Sequence, residues 1–154
     1  MSSRGKVSAG LLVYRRRVTL EVLLVHPGGP FWKNKDDGAW SIPKGETEAS
    51  EDLLAAAQRE LFEETGYQAS GPFMELIPVR QKSGKLVHAW ACEGDLDPSR
   101  IHSNTFSLEW PPRSGKLANF PEVDRADFFD VATAKNKINS AQTSLLDELV
   151  RRLG

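Results

Sequence analysis

Residues 45–67 read GETEASEDLLAAAQRELFEETGY, a loop of small and acidic residues that leads into a helix-forming segment. At about 100° per residue along an α-helix, Glu60, Glu63 and Glu64 share an arc of about 100°. Like charges three and four residues apart on a helix repel one another. A cation bound among these carboxylates would relieve the repulsion, so the segment predicts an acidic helix face that binds a positive ion.

The ends of this helix can be placed from its capping residues. Ser50 or Asp52 suits the N-cap, because a short side-chain oxygen can accept a hydrogen bond from a free N–H of the first turn. Gly66 is typical of the left-handed residue that follows a helix C-terminus. The sequence therefore predicts a helix over about residues 51–65. One side of this helix is apolar: Leu54, Ala57 and Leu61.

The available ligand atoms indicate the kind of cation. Glutamate side chains and backbone carbonyls offer only oxygen, which suits hard ions such as Mg²⁺ or Mn²⁺. The alternative is that the acidic face is simply solvated, as charged helix faces ordinarily are. The residues around the three glutamates decide between these interpretations.

The spacing of these residues resembles the signature box of the Nudix hydrolases. The fixed positions are Gly45, Glu51, Arg59, Glu60, Leu61, Glu63, Glu64 and Gly66, followed by the apolar residue Tyr67. Even seven of these eight residues, at background frequencies near 7%, would coincide in only about one chain in a million. The resemblance implies one domain over residues 1–154. Its fold would be an α/β/α sandwich with a mixed β-sheet, a catalytic loop-helix and a C-terminal helix.

The resemblance also implies roles for the acidic residues. Glu60, Glu63 and Glu64 would be metal ligands, joined by the backbone carbonyl of Gly45. The cofactor would be Mg²⁺, with Mn²⁺ as a substitute. Glu60, or alternatively Glu63, would orient or deprotonate the water that attacks a pyrophosphate, a reaction that needs a metal, an in-line water and a base.

Three neighbouring residues each have two interpretations. Arg59 is either a surface ion pair, worth about 0–1 kcal/mol, or a clamp that fixes a catalytic glutamate by a bidentate bond. Glu51 is either a partner of the helix dipole that anchors the loop or a metal ligand. Lys44 either binds a substrate phosphate or is solvated. We favour the first role for Glu51, the clamp for Arg59 and the phosphate for Lys44.

In several Nudix members a carboxylate outside the box joins the metal site or acts as the base. Glu122, in a loop before the last strand, is the first candidate here, and Glu109 is the second. A glutamate in a loop is otherwise simply solvated. The sequence alone therefore leaves the identity of this carboxylate open.

Residues 40–46 read WSIPKGE and resemble the Trp-x-x-Pro-Lys-Gly sequence that precedes the box in Nudix enzymes acting on dinucleoside polyphosphates. The resemblance implies asymmetric cleavage of a substrate such as diadenosine tetraphosphate. The alternative is a nucleoside triphosphate or another nucleoside diphosphate linked to a further group. An aromatic ring would stack on the base; the candidates, each of which can equally serve in packing, are Trp32, Trp110 and Phe120.

The remaining chain alternates apolar segments with turns. Strands are predicted at 7–14, 20–25, 38–45, 73–81, 86–92, 105–110 and after 122, a short helix at 131–138, and a terminal helix from the N-cap Ser140. Residues 93–121 are otherwise irregular because prolines and glycines interrupt them. Within them, residues 111–116 predict an exposed basic loop near the cleft.

Composition limits the function classes further. The chain has 154 residues, a formal net charge of −1 and one cysteine, Cys92. Balanced charge gives no field that would attract nucleic acid or an anionic membrane, and no segment approaches the roughly 20 apolar residues of a bilayer span. Residues 1–6 are too polar to begin a signal peptide. We expect a cytoplasmic protein with a packed, unpaired cysteine and a small nucleotide substrate; its oligomeric state is open.

Two other classes compete with a hydrolase. A nucleotide-sensing module of the same family would bind nucleotides without cleaving them, but such modules often lack acids of the box, and none is missing here. An acidic helix that only binds another protein would not bind Mg²⁺. Titration with Mg²⁺ and a nucleotide separates these classes.

Overall fold

The computed structural model describes residues 7–48 and 50–154. Residues 1–6, with the prediction that they do not form a signal peptide, lie outside this part of the chain, as does Ala49 of the box. Within the described ranges, no helix combines the length and the apolar character that a bilayer span requires.

A mixed β-sheet forms the middle layer of the fold. Strand β1 (Val7–Arg16) lies at its centre, pairing antiparallel with β2 (Leu20–Pro27) and parallel with β6 (Leu86–Glu93). Strand β9 (Val123–Asp130) extends the sheet on the far side of β2. The predicted mixed sheet is confirmed, and its two longest early strands are where the apolar segments predict them.

Helices cover both faces of this sheet. They are α1 (Leu53–Thr65) on one face, and α2 (Val131–Lys137) and α3 (Thr143–Leu153) on the other. Successive side chains of a strand point to opposite faces, so Leu11 and Val13 pack against Leu61 of α1, whereas Leu12 packs with Leu146 of α3. The predicted α/β/α sandwich is therefore confirmed.

The cysteine packs in the core between the sheet and α1. Cys92 is 1% exposed, and burial raises the pKa of its thiol to about 11. A thiol that is neutral and inaccessible is a poor nucleophile. Cys92 therefore serves in core packing, as predicted for the single cysteine of this sequence.

One predicted strand is broken in two. The sequence predicts a strand over 73–81, but the chain forms the short strands β4 (Met74–Glu75) and β5 (Val79–Arg80), with Pro78 between them. Proline has no N–H to donate to the ladder, which explains the interruption. Both short strands pair antiparallel with β6, so the predicted hairpin pairing is confirmed.

Two other boundaries need correction. The strand predicted at 38–45 is reduced to β3 (Lys44–Glu46), which pairs with β1. A short 3₁₀ turn, Ser140–Gln142, precedes α3, and the side chain that caps it is Asn139 and not Ser140. Asparagine and serine are both good N-cap residues, and they are neighbours here. Residue type alone therefore could not show which of the two caps the turn.

The segment 93–121 contains a hairpin that the sequence predicts only in part. Its first strand, β7 (Thr105–Glu109), matches the predicted one, but β8 (Leu117–Pro121) lies in residues predicted as irregular. The two strands pair antiparallel as a separate two-stranded sheet. Neither strand contains a fully buried residue, which explains why β8 lacks a clear apolar signal.

Helix α1 begins and ends at capping residues of the predicted types. The Asp52 carboxylate accepts a hydrogen bond of 3.0 Å from the backbone N–H of Ala55, so Asp52, rather than Ser50, is the N-cap. Gly66 has a left-handed φ of 80°, and its N–H donates to the carbonyl of Phe62 at 2.7 Å. The acidic helix is therefore fixed at both ends by local contacts.

Replacing the N-cap tests this assignment. Asp52→Ala is expected to lower the free energy of unfolding by about 1 kcal/mol, because the first turn loses a side-chain acceptor. Asp52→Asn keeps the side-chain acceptor and serves as the control. Its free energy of unfolding should fall by at most about a few tenths of a kcal/mol. Urea denaturation measures both, and equal losses in the two variants would contradict the cap.

Candidate functional site

The acidic face of α1 meets β3 at Gly45, which pairs with Ala9 of β1. The Glu60 carboxylate occupies the space next to Gly45, where any Cβ atom would clash with it. A side chain at residue 45 would therefore displace the Glu60 carboxylate from its present position. The structure thus brings two of the predicted site residues, Gly45 and Glu60, into contact.

Arg59 binds three carboxylates at once. Its Nε and Nη2 atoms donate to the two oxygens of Glu51 at 2.7 and 3.0 Å, and its Nη1 donates to Glu60 at 2.8 Å and Glu63 at 3.2 Å. These bonds raise the pKa of the Arg59 guanidinium, with Glu51 as the largest cause. The bidentate partner is therefore Glu51, which corrects the prediction that the bidentate bond fixes a catalytic glutamate. Nη1 holds Glu60 by one bond and contacts both oxygens of Glu63 at 3.2 Å.

Glu51 anchors the loop before the helix. Besides binding Arg59, its carboxylate accepts a hydrogen bond of 3.0 Å from the backbone N–H of Glu48. The Arg59 bond, and after it the Glu48 N–H, lowers the pKa of Glu51. This geometry matches the favoured interpretation, in which Glu51 anchors the loop.

Two carboxylates of α1 lie in surroundings that disfavour their charge. Glu64 is 8% exposed, and burial raises its pKa well above the usual value, with further contributions from the charges of Glu60 and Glu122. Burial also raises the pKa of Glu60, against the opposing charge of Arg59. Burying a carboxylate penalises its ionised form unless positive charge compensates it. The site is therefore short of positive charge.

Glu122 joins this cluster from the junction of β8 and β9. Its backbone N–H donates to the carbonyl of Asn104 at 2.8 Å, and the N–H of Asn104 donates to the carbonyl of Glu63 at 2.8 Å. The junction is thus tied to the last turn of α1. Partial burial raises the pKa of Glu122, and the charge of Glu63 adds to this shift. The residue is solvent-exposed, so solvent screens the effect.

Glu109, the second candidate outside the box, does not reach the cluster. It ends β7, and its carboxylate accepts a hydrogen bond of 2.7 Å from the N–H of Gly115 in the turn of the hairpin. This bond stabilises the turn. The structure thus places Glu122, and not Glu109, beside the acids of α1.

Two cavities meet at these carboxylates. The more enclosed one has a volume of about 270 Å³, and the more open one about 570 Å³. Both are lined by Pro27, Trp32, Lys44, Glu64 and Glu122. Burial, followed by the charge of Lys85, lowers the pKa of Lys44, and Glu64 and Glu60 oppose this shift. Lys44 thus lies where the two cavities meet, and its binding of a phosphate stays a prediction.

The polar end of the enclosed cavity is built from amide side chains that the sequence did not single out. Its walls include the apolar residues Val25, Ala39 and Ile42 and the amides Gln81, Asn139 and Gln142. Gln142 is fully buried and accepts a hydrogen bond of 3.0 Å from the backbone N–H of Ile42. Gln81 lies far in the chain from Asn139 and Gln142, and the three form no motif, so only the fold brings them together.

The aromatic candidates separate into two groups. Trp32 is 39% exposed and lines both cavities. Trp110 instead packs edge-on against Phe31 with a centroid distance of 5.5 Å, and Phe120 packs near Phe106 at 6.0 Å. Phe106, which the sequence did not indicate, lines the open cavity. Of the three predicted stacking residues, only Trp32 lines either cavity.

The fit of a metal ion depends on donor type and charge. In the part of the chain that the structure describes, no three acidic, histidine or cysteine side chains converge as a ready-made metal site. The Nη1 atom of Arg59 instead contacts both Glu60 and Glu63. The donors still fit a hard divalent cation, since buried carboxylates with too little opposing charge supply oxygen ligands.

Comparison with known proteins identifies the family to which this chain belongs. A sequence model described as the NUDIX domain matches residues 5–149. A Caenorhabditis elegans protein assigned to the nudix hydrolases is 30% identical over 126 residues, covering 79% of this chain and 33% of that protein. Nudix hydrolase 7 of Arabidopsis thaliana is 39% identical over 81 residues, covering 53% of this chain and 27% of that protein. The chain thus spans a third or less of these relatives.

Solved structures agree on the fold. A Caenorhabditis elegans Ap4A hydrolase binary complex has a TM-score of 0.69 at 20% identity, with 95% of this chain and 97% of that chain covered. The NUDIX domain of Shewanella oneidensis NrtR, complexed with ADP ribose, has a TM-score of 0.66 at 16% identity, with 96% and 88% covered. At these identities the likeness establishes the fold alone.

The buried charge of Glu64 leads to a prediction about stability. Because the pKa of Glu64 is raised in the folded protein, the stability contributed by its protonated form is present below the unfolded pKa and is lost as the pH rises through the folded pKa. Glu64→Gln keeps a neutral side chain and should be more stable than the parent near pH 7. The difference should shrink towards about pH 4, near the unfolded pKa of glutamate.

Urea unfolding in the presence of EDTA, across this pH range, measures the difference. Glu93→Gln, at the exposed end of β6, is the matched control and should change stability little at any pH. A Glu64→Gln variant less stable than the parent near neutral pH would contradict the assignment.

Proposed function

Because the chain belongs to the Nudix family, we propose that it is a Mg²⁺-dependent hydrolase of a pyrophosphate bond in a nucleoside diphosphate linked to a second group. Mn²⁺ would be a substitute cofactor. The proposed substrate is a dinucleoside polyphosphate such as diadenosine tetraphosphate. The alternative substrate is a nucleoside triphosphate.

The observation that carries this proposal is the meeting of two cavities at Lys44, Glu64 and Glu122. A substrate with a group on each side of a pyrophosphate would need a cavity on each side of the reacting phosphorus. The shared residues combine one cation with carboxylates, as phosphate binding and its hydrolysis require. The site therefore supports a two-armed nucleotide better than a simple anion.

The enclosed cavity suits a nucleoside. Its apolar walls and amides match the usual composition of small-molecule sites, in which a few polar groups fix the orientation of the ligand. Trp32 at its edge offers a ring on which a base can stack. The volume of about 270 Å³ leaves room for one nucleoside there, so the other arm of the substrate would extend through the open cavity.

The residues of the open cavity suit the reacting phosphates. Glu60, Glu64 and the carbonyl of Gly45, which line this cavity, would hold the Mg²⁺ together with Glu63 of the same helix. When bound, the Mg²⁺ neutralises phosphate charge. Lys44 would bind a phosphate oxygen. Glu60, or alternatively Glu63, accepts a proton from the attacking water; the new bond forms between that water and a phosphorus, and the bridging P–O bond breaks. Arg59 would keep both glutamates at the correct angle.

The choice of a dinucleoside polyphosphate rests on two supports. Residues 40–46 carry the Trp-x-x-Pro-Lys-Gly sequence, and the lysine of that sequence lines both cavities. One similar structure is titled an Ap4A hydrolase. Because that likeness concerns the fold, it only makes diadenosine tetraphosphate the first substrate to test.

Removing a carboxylate of α1 tests the reaction class. Incubation with Mg²⁺ and a panel of diadenosine polyphosphates, nucleoside triphosphates, nucleotide sugars and capped RNA, with products identified by mass spectrometry, should show turnover of diadenosine tetraphosphate. Glu63→Gln and Glu64→Gln should each reduce kcat on the order of 10²-fold or more, because an acid–base or charge-stabilising group is lost.

Circular dichroism should show the same fold in both variants. Unchanged turnover in both would reject the site. Turnover of nucleoside triphosphates with diadenosine polyphosphates among the poorest substrates would reject the proposed substrate while keeping the reaction class.

A pair of variants tests the carboxylate outside the box. Glu122→Gln should lower kcat on the order of 10²-fold, because this side chain lies beside the acids of α1. Glu109→Gln is the matched control, since Glu109 only stabilises the turn of its hairpin, and should keep kcat within about 2-fold. Equal effects of the two substitutions on kcat would contradict a role for Glu122 in the reaction.

A further inference from the structure

His26, at the end of β2, is fully buried, and the proposed reaction does not use it. Its Nδ1 atom lies 2.8 Å from the Asp124 carboxylate, and its Nε2 atom lies 2.6 Å from the backbone carbonyl of Lys35. Both distances are those of good hydrogen bonds. Both partners are oxygens that accept, so each contact needs a proton.

Two acceptors require more protons than a neutral imidazole carries. A neutral ring has one N–H, whereas an imidazolium has two. The second proton belongs either to the His26 ring or to the Asp124 carboxyl. A backbone carbonyl cannot supply a proton, so Nε2 carries the proton of the bond to Lys35. The bond to Asp124 forms whichever of its two partners holds the second proton.

Other charged groups lie around this pair. The ring of His26 contacts Trp40 edge-on at a centroid distance of 5.3 Å. The guanidinium of Arg125 lies 5.1 Å from the centroid of Trp40, and the indole N–H of Trp40 donates to Asp36, which also pairs with Lys137. Asp36 and Lys137 offset one another, so Asp124 is the acid that faces the imidazole directly.

The Lys35 carbonyl belongs to the segment 28–39, which we call the Trp32 loop. Residues 31–38 of this loop are all exposed. Besides the bond to His26, the Gly38 N–H donates to the Asn136 carbonyl at 3.0 Å, and Phe31 packs on Trp110. Inside the loop, the N–H of Lys35 donates to the carbonyl of Trp32 at 3.0 Å, and the ammonium of Lys35 lies 5.3 Å from the centroid of the Trp32 ring. Lys35 therefore connects His26 directly to Trp32.

We infer that His26 is a positioning residue that ties the Trp32 loop to Asp124 of β9 and thereby sets Trp32 at the edge of the nucleoside cavity. Asp124 orients the ring at Nδ1, and the N–H at Nε2 holds the loop. The kinetic consequence rests on the proposed function, because it concerns binding of a nucleotide next to Trp32. The effect on the loop itself does not depend on that function.

Two conservative variants separate the two hydrogen bonds. The amide nitrogen of glutamine in His26→Gln takes the place of Nε2 and can still donate to Lys35. The amide nitrogen of asparagine in His26→Asn takes the place of Nδ1 and can reach Asp124 but not Lys35. Each variant loses the ring and one of the two hydrogen bonds. We therefore expect both to lower the free energy of unfolding by a similar amount.

Hydrogen exchange of the Trp32 loop and steady-state kinetics on diadenosine tetraphosphate are then compared. In His26→Asn we expect the amides of residues 28–39 to exchange about 10-fold faster, and KM to rise about 10-fold with kcat within about 3-fold, from the loss of one buried hydrogen bond. In His26→Gln both quantities should stay within about 3-fold of the parent. Equal changes in the two variants, or none in either, would overturn the inference.

The bond to the loop is also measured on the unaltered protein, so the inference can be tested even if a variant fails to fold. Nitrogen-15 NMR of the imidazole should show a proton on Nε2 of His26, and an Nε2 without a proton would overturn the inference. If exchange follows the expected pattern but no substrate of the panel is hydrolysed, the loop anchor stands and the proposed function fails.

Discussion

Arg59 donates hydrogen bonds to carboxylates from two parts of the chain, Glu51 in the loop before α1 and Glu60 and Glu63 on the helix itself. Without this guanidinium, the acids would repel one another, because their burial and spacing both disfavour charge. The same group fixes where the loop enters the helix, and Gly45 lets Glu60 approach β3. Loop, helix and sheet edge are thus held in one arrangement by a single side chain that itself makes no bond with the reacting phosphates in the proposed reaction.

The sequence predicts the acidic helix well because its determinants are local. Asp52 and Gly66 cap it within a few residues of their partners, and the spacing of the glutamates follows from helix geometry. The long strands are equally evident from their apolar residues. Strand β8 was missed because it belongs to a hairpin with no fully buried side chain. Its pairing with β7 depends on the turn between them rather than on an apolar pattern.

The walls of the cleft could be predicted only in part. Glu122 reaches the acids because Asn104 ties its junction to the end of α1, a contact between segments that are far apart in the chain. Trp32 and Trp110 carry the same sequence signal, yet only Trp32 lines the cavities. Gln81 and Gln142 are ordinary polar residues until the sheet and α3 bring them together. Residue type predicts the chemistry of the helix, whereas long-range packing decides which side chains face it.

The order of strands in the sheet has a consequence for synthesis of the chain. Strand β1 pairs with β6 from Val7 opposite Leu86, and β2 pairs with β9 from Glu21 opposite Asp130. A ribosome therefore releases an apolar hairpin whose two outer edges gain their partners only much later. Unpaired edges with apolar faces are prone to pair with other chains. During translation, the segment that later centres the sheet therefore keeps two unpaired edges until β6 and β9 have been made.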